Sequence, residues 1–244
     1  MIYHLEVEAR FCKVEAILNG FPILSLNGIN PAVFSTPINI ALIGKDNQIK
    51  FIITPENPLD TESEYSIKGN IKEYEDFQMT GPDQGNVITS FSHEKKLAAT
   101  LQFDNKDFDF SKLLLEGKQF DDLEIIKDYA ERLQKQLINK NTGALSNEFT
   151  PKMIAYGEAY NVEPEVLIEE FVEYLNDDFF PNKPLLDFSR AEILARPWCE
   201  KRIWEIGVGL DYREFMTTTP DEDGFEYALR IFVGMIDGKL RVVR

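Results

Sequence analysis

The stretch that decides the fold is FSKLLLEGKQFDDLEIIKDYAERLQKQL, residues 110–137, because the spacing of its apolar residues changes within it. Upstream of this stretch, apolar residues alternate with polar ones, which is the period of β-strands. From Leu123 onward, apolar residues recur three and four positions apart, which is the period of an α-helix. One element cannot follow both periods, so the sequence predicts a β-rich half followed by a half that contains helices.

We therefore predict two domains, an all-β sandwich over residues 1–110 and an α+β domain over residues 120–244. The segment 104–119 is the expected connector. A chain of 244 residues is long enough for two separate cores. In the α+β domain, the helices are expected first and an antiparallel sheet last.

The first half carries several signals of short antiparallel strands. Residues 2–18 alternate, and Asn19-Gly20 follows them, which predicts a tight hairpin because both residues tolerate positive φ. Further alternating runs separated by turn residues predict a sandwich of roughly seven or eight strands. Residues 37–54, with the loop Gly44-Lys45-Asp46-Asn47, resemble a segment of carbohydrate-binding-type and immunoglobulin-like β-sandwiches. The first half as a whole resembles an immunoglobulin-like or jelly-roll β-sandwich.

The second half is expected to begin with three helices, over residues 121–140, 150–161 and 164–178. Asp121 or Asp122 would cap the first helix, and Thr150-Pro151 would start the second. The segment 184–200 fits either a short helix or a strand. From Arg202 onward, alternation predicts strands, and it places Trp204 and Tyr212 on one face.

The order of helices and strands, together with the closing sequence Asp237-Gly238-Lys239-Leu240-Arg241-Val242-Val243-Arg244, resembles the nuclear-transport-factor-like cone fold of SnoaL-like and ketosteroid-isomerase-like proteins. The resemblance implies a curved sheet and helices that enclose a pocket. Since that superfamily includes both enzymes and binding modules, it leaves the function open.

The chain is strongly acidic, with a formal net charge of −16 at pH 7. Residues 1–119 carry 17 acidic and 11 basic side chains, and residues 120–244 carry 25 and 15. An acidic surface repels phosphate backbones and anionic membranes, so neither nucleic acid nor a membrane is an expected partner. A basic protein partner is compatible with this charge, and solubility alone is the alternative explanation.

The location expected from the sequence is the cytoplasm. The first residues read as a strand rather than a signal peptide, and no apolar run approaches the roughly 20 residues that span a bilayer. The two cysteines, Cys12 and Cys199, fall in different predicted domains. We expect them to be reduced and buried rather than paired.

The residues that most often carry catalysis are sparse. The two histidines, His4 and His93, both lie in the first half, so no imidazole base or ligand is expected in the second. No phosphate-binding glycine motif occurs. The acidic run 221–224 lacks the ligand spacing of a calcium loop and is interpreted as a hairpin loop. We therefore predict no catalytic residues, no metal and no cofactor.

The candidate pocket residues all lie in the second half, and their aromatic rings and charges suit a ligand site. Trp204 and Tyr212 would line the concave apolar face. Asp187, if buried, could serve as an acid or base. In the alternative interpretation, both aromatics belong to the core and the charged residues to the surface. The candidates are Trp198, Trp204, Tyr212, Asp187, Asp211 and Arg213.

Three functional hypotheses follow from these observations. The first is a non-enzymatic binding protein, such as an acidic immunity-like or inhibitor-like protein that masks a basic partner. The second is a small-molecule binder, or an isomerase-like or hydrolase-like enzyme, that uses a pocket in the second domain. The third is a carbohydrate-binding module built on the sandwich.

Overall fold

The computed structural model combines helices with several antiparallel sheets and divides into two compact units, Met1–Glu116 and Gly117–Arg244. Within the described ranges, no helix is both long and apolar enough to cross a membrane. The structure describes residues 1–28, 31–57, 64–75, 78, 81, 83–181, 185, 187–220 and 224–244.

The first unit is built from two antiparallel four-stranded sheets, with strand orders β4-β1-β6-β7 and β3-β2-β5-β8. A 3-10 turn at Asn39–Ala41 and the short helix α1 at Ser111–Leu114 complete it. The strands are β1 Ile2–Arg10, β2 Cys12–Leu18, β3 Phe21–Gly28, β4 Ala32–Pro37, β5 Asn47–Pro55, β6 Ser66–Tyr74, β7 Asn86–Glu94 and β8 Ala98–Phe103.

The core of the first unit follows directly from the alternating sequence. In β1, every second side chain from Tyr3 to Ala9 is buried, and β5 repeats the pattern. The two sheets meet through Phe51 and Phe91, whose ring centroids lie 4.7 Å apart. The period of two therefore selects the residues that fill the space between the sheets.

Asparagines hold the turns of the first unit. The predicted Asn19-Gly20 hairpin is confirmed, with φ of 53° and 84° at these residues and Leu18 paired with Phe21. Asn47 is fully buried, and its Oδ1 accepts hydrogen bonds from Asn19 Nδ2 and from the backbone N–H of Ile43, both at 2.9 Å. Because these bonds satisfy a buried amide, they tie the 43–47 loop to the hairpin.

The second unit places its helices before most of its strands. The helices are α2 Leu123–Ile138, α3 Thr142–Tyr160 and α4 Pro164–Glu173, followed by a π-helical turn at Tyr174–Phe179 and 3-10 turns at Arg190–Glu192 and Cys199–Lys201. The strands are β9 Ile193–Trp198, β10 Ile203–Val208, β11 Arg213–Glu214, β12 Met216–Thr217, β13 Ala228–Leu229, β14 Ile231–Ile236 and β15 Lys239–Val242.

One face of the main sheet packs against the helices. Strands β11, β10, β14 and β15 are hydrogen-bonded in that order, and β9 pairs with β10. The helical side chains at three- and four-residue spacing in α2 are buried against apolar residues from alternate positions of the strands. This shared core includes Ile126, Leu133, Leu137, Phe149, Trp204, Ile206, Val208, Ile231 and Val233.

Two predicted helix starts have different outcomes. The start at Asp122 is confirmed, since its carboxylate accepts from the backbone N–H groups of Glu124 and Ile125. The start at Thr150-Pro151 is wrong, because the helix begins nine residues earlier, after Asn141, and runs through Pro151. The side chain of Asn141 caps it by accepting from the backbone N–H of Ala144 at 3.1 Å.

The segment 184–200, which fitted either a short helix or a strand, contains one of each. Ser189 and Glu192 form a capping box around the short 3-10 turn, and strand β9 follows it. Residues 184 and 186 of the segment lie outside the described part of the chain. Pro197 does not end a helix but lies within β9, opposite Trp204 of β10.

Gly69 offers a direct test of the close packing in the first unit. A Cβ at this position would clash with the Glu6 carbonyl oxygen and lie 2.8 Å from Phe91 Cζ. We expect Gly69→Ala to lower the free energy of unfolding by about 2 kcal/mol, because backbone must move to admit the methyl group. Urea unfolding followed by circular dichroism measures the change.

Gly81→Ala is the matched control, since the atoms nearest to a Cβ there lie 3.9 Å away, an ordinary contact distance. It should change stability by less than about 0.5 kcal/mol. Equal effects of the two substitutions would contradict the packing described at Gly69.

Candidate functional site

Trp204 belongs to the apolar core of the second unit, with 4% of its surface exposed. Its ring lies 6.1 Å from that of Phe120, centroid to centroid, and its Nε1 donates to the Phe120 carbonyl oxygen at 3.0 Å. Because its polar atom is satisfied within the core, Trp204 serves packing and does not present a ligand-binding edge.

The predicted shared face of Trp204 and Tyr212 is wrong. Strand β10 ends at Val208, and Tyr212 lies in the following turn with a φ of 54°. The Tyr212 ring packs against Gly207, where a Cβ would come within 2.8 Å of its Cε1. Since side chains alternate along a strand, Gly207 and Trp204 lie on opposite faces of β10, and the two aromatic rings cannot line one pocket.

Tyr212 and Trp198 instead meet around Glu205, on the face of the sheet opposite the helices. We call this group the Glu205 cluster: Arg196, Trp198, Glu205, Tyr212 and Arg230. Glu205 is 5% exposed, and its Oε1 accepts from Arg230 Nη2 at 2.6 Å and from Arg230 Nε at 2.9 Å. Trp198 Nε1 donates to Glu205 Oε2 at 3.1 Å. Both carboxylate oxygens are therefore occupied.

Strand pairing brings the Glu205 cluster together. Glu205 of β10 is paired with Arg196 of β9 on one side and with Phe232 of β14 on the other. The Tyr212 hydroxyl donates to the Glu205 carbonyl oxygen at 2.7 Å, and the Arg196 guanidinium lies 4.3 Å from the centroid of the Tyr212 ring.

The electrostatics of the Glu205 cluster favour a fixed structure over proton transfer. Burial, reinforced by the negative charge of Glu205, raises the pKa of Tyr212 well above its usual value, so the hydroxyl stays protonated and remains a donor. With both oxygens of Glu205 held by donors, the cluster ties together β9, β10, the turn after β10 and the residue that precedes β14. The cluster is a structural ion pair. Around the pair lie exposed arginines and half-buried aromatic rings.

Asp187 does not occupy the buried setting in which it could act as an acid or base, because its side chain is exposed. It lies at the edge of a cavity of about 270 Å³. None of the other five predicted pocket residues lines that cavity, whose remaining lining residues are Gln134, Leu137, Ile138, Leu185, Phe188 and Phe215.

The last two predicted residues, Asp211 and Arg213, are exposed near the turn that follows β10. Arg213 belongs to β11, where it pairs with Val208. The arrangement agrees with the surface interpretation of these two charges. The structure thus brings Trp198 and Tyr212 together and separates them from Trp204 and Asp187.

Lys152 of α3 and Cys199 both interact electrostatically with Arg244, the last residue of the sequence. Lys152 Nζ lies 5.5 Å from the Tyr156 ring centroid and 5.8 Å from that of Phe149. Burial, together with the positive charge of Arg244, lowers the pKa of Lys152 to about 8. Burial also raises the pKa of Cys199 to about 12, so this thiol is not a ready nucleophile.

Helix α4 presents a one-sided charge to solvent. We call Glu163, Glu165, Glu169, Glu170 and Glu173 the α4 acidic face, and all five are exposed. Residues 157–181 contain eight acidic side chains and no lysine or arginine. Among the described residues, no basic group lies within ion-pair distance of this face.

Within the described ranges, no group of three or more histidine, cysteine, aspartate or glutamate side chains is arranged to hold a metal ion. The acidic run considered for a cation, residues 221–223, lies outside those ranges. His4 and His93 lie on strands of the first unit, where burial lowers the pKa of each imidazole.

No family model, curated protein or solved structure matches this chain.

Sequence reasoning missed Glu205 and Arg230, the charged pair at the centre of the cluster. Glu205 alternates with apolar residues and looks like a solvent-facing strand position. Arg230 lies 25 positions further along the chain, and only the pairing of β10 with β14 brings it near. The sequence feature that could have indicated a buried carboxylate is a glutamate between Trp204 and Ile206, close to Gly207 and Gly209.

Removal of either partner should show how much the Glu205–Arg230 pair stabilises the second unit. We expect Arg230→Gln to lower the free energy of unfolding by about 2 kcal/mol, because it leaves the buried Glu205 carboxylate without its partner, and Glu205→Gln to lower it by less, because the exposed Arg230 is then solvated by water. The double variant should lose less than the sum, which urea unfolding measures. Glu214→Gln, at an exposed position of the same sheet, should have little effect. Strictly additive losses would contradict a direct pair.

The lowered pKa of Lys152 predicts a pH dependence of stability. Between about pH 8 and the ordinary lysine value of 10.5, the folded state holds Lys152 neutral while the unfolded state keeps it protonated. Because the unfolded state then binds more protons at this site, Lys152 contributes a rise of the free energy of unfolding with pH across this window, while the raised pKa of Cys199 contributes a fall above its ordinary value of 9. Lys152→Met should remove the rise, whereas Lys135→Met, at an exposed position of α2, should keep it. An unchanged rise in Lys152→Met would contradict the assignment.

Proposed function

We propose that this chain is a non-enzymatic binding protein whose second unit recognises a basic protein partner through the α4 acidic face. The observation that carries the proposal is the run of eight acidic and no basic side chains over residues 157–181, with the α4 glutamates exposed. Carboxylates that are not neutralised within their own chain attract a cationic surface and speed its encounter.

Apolar side chains beside these carboxylates support an interface rather than a purely solvated face. Val162 and Val166 are 36% and 44% exposed, next to Glu163 and Glu169. Protein interfaces commonly combine apolar contacts at the centre with a charged rim. The α4 acidic face therefore has the components of an immunity-like or inhibitor-like surface that masks a basic partner.

The chemistry of the other groups supports binding over catalysis. The buried thiol of Cys199 has a raised pKa, and both carboxylate oxygens of Glu205 are held by donors. A catalytic group needs a free reactive atom within reach of a substrate. These two groups do not offer one.

For the fold, we propose a β-sandwich domain over residues 1–110 followed by an α+β domain over residues 120–244 that is related in form to the cone fold. Two four-stranded antiparallel sheets in contact through Phe51 and Phe91 support the first part. Helices ahead of a sheet that closes with the Asp237-Gly238 hairpin support the second. We further propose a cytoplasmic location, supported by the two buried thiols of Cys12 and Cys199.

The cavity beside Asp187 favours a second candidate function, the binding of a small molecule by the second unit. Its lining is mostly apolar with a few polar groups, as ligand sites commonly are. Carbohydrate binding by the first unit remains a third proposal, for which the exposed rings of Phe11 and Phe34 would be the first to test.

Neutralisation of the α4 acidic face should weaken capture of a basic partner. We expect Glu165→Gln, Glu169→Gln and Glu173→Gln together to reduce affinity by roughly tenfold, because three attractive rim charges are lost. The tagged full chain is used to retain proteins from a lysate at low and moderate salt, and mass spectrometry identifies those whose retention depends on salt.

The matched control removes three charges elsewhere in the same unit, by Asp211→Asn, Glu214→Gln and Asp237→Asn, all at exposed positions. It should retain the partner as the wild-type chain does. Equal losses in both triple variants would indicate a general effect of net charge, and an absence of any salt-sensitive basic partner would reject the proposed function.

A further inference from the structure

The cavity of about 270 Å³ in the second unit is bounded by α2 and by two later segments of the chain. Gln134, Leu137 and Ile138 have the spacing of one helix face at the last turn of α2. Phe188 and Phe215 form the aromatic wall, with ring centroids 5.2 Å apart in an edge-to-face arrangement. The helix turn and the two rings together form an apolar wall that a hydrocarbon or aromatic group can contact.

The walls of the cavity are held in place by interactions of their own. Gln134 Nε2 donates to the Phe188 carbonyl oxygen at 3.1 Å, which ties the 188 segment to α2. Leu185 pairs with Thr218 through an isolated antiparallel bridge. Phe215 is 2% exposed and belongs to the main core of the unit. Among the described residues, Phe188, Leu185 and Phe215 of the cavity wall are therefore each held by a contact with another element.

The charges at the cavity favour a cation. Asp187 supplies an exposed carboxylate at its edge, and none of the described lining residues is basic. Nearby Lys140 is engaged elsewhere, since its Nζ donates to the Phe180 carbonyl oxygen at 3.1 Å.

From this juxtaposition we infer that the cavity binds a small amphipathic cation, with an apolar or aromatic body against Phe188 and Phe215 and an ammonium group beside Asp187. The inference deepens the second candidate function and is independent of the α4 acidic face. Failure to find a basic protein partner would therefore leave it standing.

The size of the cavity limits the ligand. Its volume corresponds to about nine water molecules at the density of the liquid. That is slightly below the range of roughly 300–1,000 Å³ occupied by drug-sized ligands. A single ring with a short aminoalkyl chain fits this volume, whereas a fused polycyclic ligand or a nucleotide does not.

The experiment uses three probes that share one ring and differ in charge: phenethylammonium, phenethyl alcohol and hydrocinnamate. Each is titrated into the full chain at millimolar concentration, and methyl NMR signals of Leu137, Ile138 and Leu185 report on the site. We expect the ammonium probe to bind most tightly, the alcohol more weakly and the carboxylate least. Equal binding of all three, or no shift with the ammonium probe, would overturn the inference.

Two variants and a control locate the interaction. Asp187→Asn should weaken the ammonium probe about fivefold and leave the alcohol unchanged, because only the charge contact is lost. Ile138→Trp places a large ring at a position that is 57% exposed and should block both probes. Asp211→Asn removes the same charge away from the cavity and should change neither. Unaltered ammonium binding in Asp187→Asn, or the same loss in Asp211→Asn, would overturn the inference.

Discussion

The second unit depends on strand β10. All six residues of this strand are buried, both on the face that packs against the helices and on the opposite face of the sheet. Trp204, Ile206 and Val208 face the helices and join the apolar core, where burial from water supplies the main stabilisation. Glu205 faces the other way and is buried as well, so its charge must be matched. Arg230 and Trp198 provide that match, and they connect β10 to β9 and to the residue that precedes β14.

This requirement explains why the predicted pocket residues do not form a pocket. Tyr212 packs over Gly207 and donates a hydrogen bond to the Glu205 carbonyl oxygen, and Trp204 is buried in the core. The surfaces left for partners lie away from β10. They are the α4 acidic face, suited to a basic protein, and the cavity beside Asp187, suited to a small cation.

Local interactions account for the predictions that succeeded. Asn19-Gly20 forms its hairpin because both residues adopt positive φ, and Asp122 caps α2 with its own carboxylate. The helix start predicted at Thr150-Pro151 was wrong, because packing of the apolar face overrides the local capping signal. The helix starts at Thr142, capped by Asn141, and continues through Pro151, since Leu145 and Phe149 are buried in the core on the near side of the proline. A strong local signal therefore yielded to a continuous apolar face.

By itself, the sequence determined the change from strands to helices near residue 121, the hairpins at Asn19-Gly20 and Asp237-Gly238, and the acidic character of α4. Each depends on spacing or turn chemistry among residues close in the chain. Only the tertiary structure decided that β10 ends at Val208, that Glu205 meets Arg230, and that a cavity lies beside Asp187. These features arise where strands distant in sequence pair, and a one-residue change in strand length or register reverses the face that each side chain occupies.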